Sequence, residues 1–313
     1  MSLIVAIDIG GTQLRVAVYP PTGTTPLTVK RTATRGVEAG AFERLASLID
    51  SVWPDEPVSA IAVASPGPSD PSRGIILSTP NIPDWVNFPI VELLENRYKV
   101  PTWLDNDANL AALGEWRFGA GQGYQDVLYL TISTGIGGGV ISEGRMLTGA
   151  RGMATELGHL TVFPDGPVCS CGKRGHLEAI ASGTAIARYA RERVLAGRTS
   201  SLSALAKITA RDVAEAANAG DGLAQETFAY AGKFLGQAVA DFLHMFNPAI
   251  VIFGGGVSQS GELLFAPMRA AMREHLMTPS YLEGLQMATA QLGDDAGLLG
   301  ALALAQIKLT QAS

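Results

Sequence analysis

A chain of 313 residues with 47% hydrophobic and 17% charged residues is long enough for two domains or one large one, and its balance excludes a disordered chain. The net charge of -6 argues against nucleic acid as a main partner, because a phosphate-binding face needs clustered Lys and Arg. Two cysteines cannot build a disulfide framework and point to a reducing cytoplasm. Met1 to Gly10 lacks the length and basic start of a signal peptide, and no apolar run reaches membrane-spanning length.

Leu3-Ile4-Val5-Ala6-Ile7 is an apolar run, read as a buried strand. Asp8-Ile9-Gly10-Gly11-Thr12 follows, and Leu14, Val16 and Val18 then alternate with Arg15 and Ala17, so a second strand begins at once. A dinucleotide fold or P-loop would place a helix after the glycines, and no G-x-x-x-x-G-K-[ST] occurs. A hairpin turn of this composition can hold phosphate on backbone N–H groups and the Thr12 hydroxyl, with Asp8 holding Mg²⁺ through water. An ordinary hairpin turn has the same signature.

Val37 to Trp53 has apolar residues at helical spacing. Val58 to Ala64 reads as a buried strand ended by Ser65-Pro66-Gly67-Pro68, and Asn81-Ile82-Pro83-Asp84-Trp85 as a second loop. Val91 to Tyr98 is a short helix, and Trp103-Leu104 closes a first α/β unit. Asp105-Asn106-Asp107 precedes a helix over Ala108 to Phe118; Asn106 or Asp107 sits at the N-cap, and two acids and an amide exceed what capping needs. Val127 to Ile132 is a strand, followed by Ser133-Thr134-Gly135-Ile136-Gly137-Gly138-Gly139 and a resumed strand at Val140-Ile141. This repeats the first pattern and predicts two related halves, each supplying a phosphate loop to one nucleotide.

The stretch from Glu156 to Glu178 holds both cysteines, Cys169 and Cys171, and two of the four histidines, His159 and His176. Two thiolates and two imidazoles can fill a tetrahedral zinc shell, and Gly166, Gly172 and Gly175 allow tight turning around an ion. A surface loop with two incidental thiols is the alternative. Further on, helices are expected over Gly183 to Ala196, Arg211 to Asn218, a long stripe from Phe228 to Phe246, and Ala266 to Leu276. His244 and His275 have no clustered ligands and read as structural. Ala249 to Phe253 is a strand ended by Gly254-Gly255-Gly256, where a flat ring can approach the backbone. Gly293 to Ala305 is a small-residue C-terminal helix that can pack back on the first domain.

Together these motifs resemble the ROK family (repressors, open reading frames, sugar kinases) over nearly the whole chain. D-I-G-G-T and S-T-G-I-G-G-G are similar to its phosphate motifs, F-G-G-G-V to its adenosine motif, D-N-D-A-N to its catalytic-base segment, and E-L-G-H with C-S-C-G-K-R-G-H-L-E to its sugar and zinc segment. The resemblance implies an α/β actin-like, hexokinase-like ATPase fold with two α/β domains around a cleft that closes on its substrates. The small domain spans 1-105, completed by a C-terminal helix over 294-313, and the large domain spans 106-293 with the zinc loop. It implies that Asp107 is the general base toward a sugar 6-hydroxyl, and that Gly67, Asn81, Asn106, Glu156, His159 and Glu178 contact the sugar. Asp8, Gly10, Gly11, Thr12, Thr134 and Gly135 meet ATP phosphates or Mg²⁺, and Gly255 and Gly256 meet adenosine. The zinc ligands are His159, Cys169, Cys171 and His176, the last standing where the family commonly has a third cysteine.

The resemblance further implies phosphorylation of glucose by ATP in a cytoplasmic homodimer, without nucleic-acid or membrane partners. Kinases for fructose, mannose, allose or N-acetylhexosamines share the motifs. A sugar-sensing repressor of the family is the third reading; its N-terminal helix-turn-helix has no room before Asp8.

Overall fold

The computed structural model describes residues 2–36, 39–79 and 81–312. The chain forms two compact units: one of Met1–Tyr124, Gly139–Thr155 and Gln291–Ser313, the other of Gln125–Gly138 and Glu156–Ala290.

In the first unit, the opening apolar run becomes β1 (Leu3–Ile9), and β2 (Gln13–Tyr19) folds back on it; β3 (Thr28–Ala33) is an edge strand with mostly exposed side chains. Helix α1 (Ala41–Asp50) is shorter than the spacing predicts, starting after Gly40 and ending at the Ser51 cap. Val37, the expected start, lies outside the described residues. Strand β4 (Val58–Ser65) follows, then a small antiparallel sheet of β5 (Ser69–Asp70), β6 (Ile75–Ser78) and β7 (Val86–Phe88). Helix α2 (Ile90–Tyr98), strand β8 (Thr102–Asn106) and helix α3 (Asp107–Phe118) complete the run.

The main sheet has the order β3-β2-β1-β4-β8. β1 pairs antiparallel with β2 and parallel with β4, which pairs parallel with β8. Ile7, Ile9, Leu14, Val16, Ile61, Val63 and Leu104 supply its buried core. Parallel strands bring their carboxyl ends to one edge, the usual place for ligands in such sheets. Asp8, Ser65 and Asn106 all lie at those ends, with Asp8 in register with Ala64 and Ser65 with Asn106.

A short turn joins β9 (Val127–Ile132) of the second unit to β10 (Ile136–Ser142), which begins in the second unit and runs on into the first unit's Gly139–Thr155 segment, where it pairs with β11 (Arg145–Met146). The helices of the second unit are α4 (Glu178–Ala181), α5 (Gly183–Leu195), α6 (Ala210–Asn218) and α7 (Gly222–Phe246). Strand β12 (Ile250–Gly254) pairs parallel with β9. Helix α8 (Glu262–His275) begins four residues before the expected Ala266, so Pro267 lies inside it and not in its first turn. Strand β13 (Gln286–Thr289) pairs parallel with β12.

The final helix α9 (Ala296–Ala312) returns to the first unit, preceded by a 3₁₀ turn over Gly293–Asp295 where the sequence predicts α-helix. It packs on α3 at van der Waals limit: a Cβ at Gly300 would lie 1.8 Å from the Leu110 carbonyl oxygen. Among the described residues no helix is long and apolar enough to cross a membrane.

Candidate functional site

In the first unit, the chain leaving β1 turns over Gly10–Thr12, closed by the Gly10 N–H donating to the Gln13 carbonyl at 2.8 Å and the Thr34 hydroxyl to the Gly10 carbonyl at 2.6 Å. The Asn81 amide lies against this turn, so close that a Cβ at Gly11 would meet its nitrogen at 2.3 Å. Arg35 fixes the Asn81 backbone by donating to its carbonyl at 3.0 Å. Two predicted residues from loops 70 positions apart in sequence are thus brought together by the turn's missing side chain.

Asp8 sits beside this turn. Arg15 lies 3.8 Å from its carboxylate and also bonds the Asp294 carbonyl and the Asp295 carboxylate. Burial pushes the Asp8 carboxyl up to about 6; Arg15 pulls it down, and Asp294 and Asp295 add to the rise. Its oxygens are hard donors of the kind Mg²⁺ takes.

At the β8–α3 junction, Asn106 is the N-cap: its Oδ1 accepts from the Ala108 and Asn109 N–H groups at 2.8 and 3.3 Å, and its Nδ2 donates to the Gly67 carbonyl at 3.1 Å. The capping requirement is therefore met by Asn106. Asp107, the first helical residue, accepts from the Ala108 N–H at 2.8 Å.

Thr155 and Glu115 in this unit are not among the residues the sequence points to, and Asp105 stands out there only as one of two acids before the helix. Buried Asp105 accepts from the Asn106 N–H at 2.7 Å and the Asn109 amide at 3.0 Å, and burial pushes its carboxyl up. The Thr155 hydroxyl donates to the Asn109 side-chain oxygen Oδ1 at 2.9 Å. Glu115, fully buried in α3, accepts from the backbone N–H groups of Gln291 and Leu292 at 2.8 Å each and of Ala120 at 2.9 Å. An acid inside the otherwise apolar A-A-L-G-E run was the available signal for Glu115; nothing local marks Thr155.

In the second unit, the turn after β9 carries Thr134 and Gly135, and it is held from two sides. The Gly183 N–H donates to the Ser133 carbonyl at 2.7 Å, and the Thr184 hydroxyl to the Thr134 carbonyl at 2.9 Å. Glu178 accepts from the Ile136 N–H at 3.1 Å and lies so close to Gly135 that a Cβ there would stand 2.4 Å from the carboxylate. The other Glu178 oxygen accepts from Ser170 at 2.6 Å. One carboxylate thus ties the turn to the cysteine loop. The Glu156 carboxyl is pushed up by partial burial and by Glu178, against the pull of His159. At the end of β12, Gly255 has φ 82°, and a Cβ would approach the Ile132 carbonyl oxygen to 2.3 Å, so only glycine fits. Gly256 beside it faces open space.

The loop between His159 and Glu178 brings His159, Cys169, Cys171 and His176 together, one donor atom from each lying within 4.8 Å of the others. Isolated bridges pair Thr161 with His176 and Val168 with Arg174. Tetrahedral zinc with bonds of about 2.0–2.3 Å has donor–donor edges of roughly 3.3–3.8 Å. The observed separations are 3.2 Å between the two Nδ1 atoms, 3.6 Å from Cys169 Sγ to His159 Nδ1, and 3.3 Å from Cys171 Sγ to His176 Nδ1. The four residues therefore fit the ion in number, chemistry and spacing. Burial and the neighbouring His159 hold His176 below its ordinary range, favouring the neutral ring that a metal needs. Both rings turn Nδ1 inward, leaving the Nε2 of His159 for a second partner. The His244 Nε2 accepts from the Met277 N–H at 3.1 Å and its ring packs on Tyr281, while His275 Nδ1 lies 2.9 Å from the Ala271 carbonyl.

A sequence model of the ROK family matches residues 4–308. A glucokinase of Thermotoga maritima is 40% identical over 306 residues, covering 96% of this chain and 96% of that protein. A ROK family glucokinase from Streptomyces griseus, solved in complex with glucose and AMPPNP, is 36% identical with a TM-score of 0.81, covering 98% of this chain and 100% of that one. A ROK hexokinase from Thermus thermophilus is also 36% identical, with a TM-score of 0.84 over 99% of both chains. With matches spanning the whole chain and the expected motifs at strand ends and turns, the protein belongs to the ROK family and has its actin-like ATPase fold.

Proposed function

We propose that this chain is an ATP-dependent hexose kinase that transfers the γ-phosphoryl group of ATP to the 6-hydroxyl of glucose. The observation that carries this reading is its end-to-end likeness to glucose kinases, one of which was solved holding glucose and an ATP analogue. Asp107 is the general base: its carboxylate takes the 6-hydroxyl proton, the sugar oxygen bonds to the γ-phosphorus, and the bond to the bridging oxygen breaks to release ADP. Asn81, Asn106, Glu156, His159 and Glu178, with the Gly67 backbone, supply the acceptors and donors that a hexose demands.

The turns at Gly10–Thr12 and Thr134–Gly135 receive the phosphates on neutral N–H groups and hydroxyls, and Gly255 and Gly256 give adenosine a flat approach. These turns contain no Lys, so Mg²⁺, which Asp8 would help hold, would supply the charge neutralisation. His159, Cys169, Cys171 and His176 would hold zinc, which would order the loop bearing the sugar contacts, and the His159 Nε2–H donates to a sugar hydroxyl. The working form is a homodimer in the cytoplasm, where ATP is the donor. A panel of glucose, mannose, fructose, allose and N-acetylhexosamines in a coupled ADP assay tests the reading. Glucose is expected to give the highest kcat/KM. Transfer to none of them, or a tenfold preference for another sugar, overturns it.

A further inference from the structure

Thr155 has a φ of 68°. A β-branched residue in the left-handed region is a steric outlier, kept there only when its surroundings over-determine it. The determinant is visible. The Thr155 hydroxyl donates to the Asn109 side-chain oxygen at 2.9 Å, with the Ala154 carbonyl 2.5 Å away as a second acceptor for the same hydrogen. Asn109 is 2% exposed, and its amide nitrogen donates to Asp105 at 3.0 Å. An amide has one oxygen and one nitrogen. Because the nitrogen is committed to the carboxylate, the oxygen must face Thr155. Asp105 in turn accepts from the Asn106 N–H at 2.7 Å. The string Asp105–Asn109–Thr155 therefore starts at the residues flanking Asp107 and ends on the residue covalently joined to Glu156.

We propose that Asn109 and Thr155 are positioning residues for sugar binding: their hydrogen bond holds the main chain before Glu156 in a strained conformation and so fixes where that carboxylate is delivered. The inference rests on the reading of Glu156 as a sugar contact. Neither residue touches the sugar. A Thr that merely tolerated its place would need no partner, and a turn needing only a positive φ would be served better by Gly. The side chain adds what Gly lacks: a tether to a buried amide that is itself locked.

Three variants separate tethering from strain. Thr155→Ser keeps the hydroxyl, Thr155→Ala keeps the strained conformation without it, and Thr155→Gly relieves the strain and also loses the bond. Glucose KM, kcat and the thermal midpoint are measured for each. The expected pattern is a near wild-type KM in Thr155→Ser. In Thr155→Gly the thermal midpoint stays within about 3 °C of wild type, while glucose KM rises about three- to tenfold, the worth of one hydrogen bond, and kcat is unchanged. A purely structural role predicts the opposite, with KM following the thermal midpoint. A Thr155→Gly protein with wild-type glucose KM overturns the proposal. Should that variant be insoluble, equal KM values in Thr155→Ser and Thr155→Ala overturn it instead. A wild-type protein that phosphorylates no sugar overturns the kinase reading and this inference with it, whereas unchanged KM values in an active kinase overturn the inference alone.

Discussion

On the role proposed for Asp8, its titration is expected to set the acid limb of the kinase. With its carboxyl pushed up to about 6, the side chain is about nine-tenths ionised at pH 7, half at pH 6 and one-tenth at pH 5. Only the carboxylate can help hold Mg-ATP, so kcat/KM for the nucleotide is expected to fall about tenfold between pH 7 and pH 5. The perturbation is Arg15→Leu, which removes the cation 3.8 Å away that opposes the rise. At that distance, with an effective dielectric near 20, two unit charges interact by roughly 4 kcal/mol. The two side chains are 19% and 20% exposed, and screening reduces this to about 1.4 kcal/mol, or one pKa unit. The acid limb should then move up to about pH 7, and at pH 6 the variant should retain about one-fifth of the wild-type kcat/KM.

Stability runs the other way. The folded state holds this proton more tightly than the unfolded chain, whose carboxyl titrates at 3.8. The contribution of Asp8 is thus complete below about pH 4 and is lost as the pH rises through about 6. Subtracting the thermal midpoints of Asp8→Asn from those of wild type at each pH isolates that slope. An acid limb at the same pH in wild type and Arg15→Leu would show that Arg15 does not hold the Asp8 carboxyl down.

Asp107→Asn keeps the shape but cannot take a proton, so kcat should drop by roughly 10²–10⁴-fold with glucose KM little changed; near-normal turnover would reduce Asp107 to a helix residue. His176→Ala removes one of four donors and should lower zinc per chain, read by metal analysis, while raising glucose KM; His176→Cys should restore both, since a thiolate fits the same shell. Active wild-type protein with well under one zinc per chain, indifferent to chelator, would count against the metal. Glu115→Gln leaves at least one of three buried N–H donors facing an amide NH₂ and weakens the others, a loss of about 3 kcal/mol in urea unfolding; a change below about 1 kcal/mol would show that the site relaxes at little cost.

Features that act over a few residues are legible in the sequence. Alternation announces the β1–turn–β2 hairpin, Asn106-Asp107 before A-N-L-A-A announces a helix cap without deciding between the two, and four nitrogen and sulfur donors within eighteen residues announce the metal cluster. Even here the ends slip: α8 starts at Glu262 and takes Pro267 inside the helix, which no local rule favours. Edge strand β3 is hidden because its exposed Lys30 and Arg31 break any apolar alternation.

What the sequence determined by itself is the set of chemical groups and the turns that present them. Which groups meet was decided by tertiary structure. Glu115 finds its partners 176 and 177 positions away, and Glu178 reaches the Ile136 N–H 42 positions back. Thr155 is driven into a conformation its own side chain disfavours by an amide on another element. Periodicity and capping are properties of neighbours along the chain, where geometry is fixed by covalent spacing. The long-range bonds exist only because packing the sheets and helices carries their donors and acceptors out of water together. There an unpaired polar group costs more than a strained dihedral.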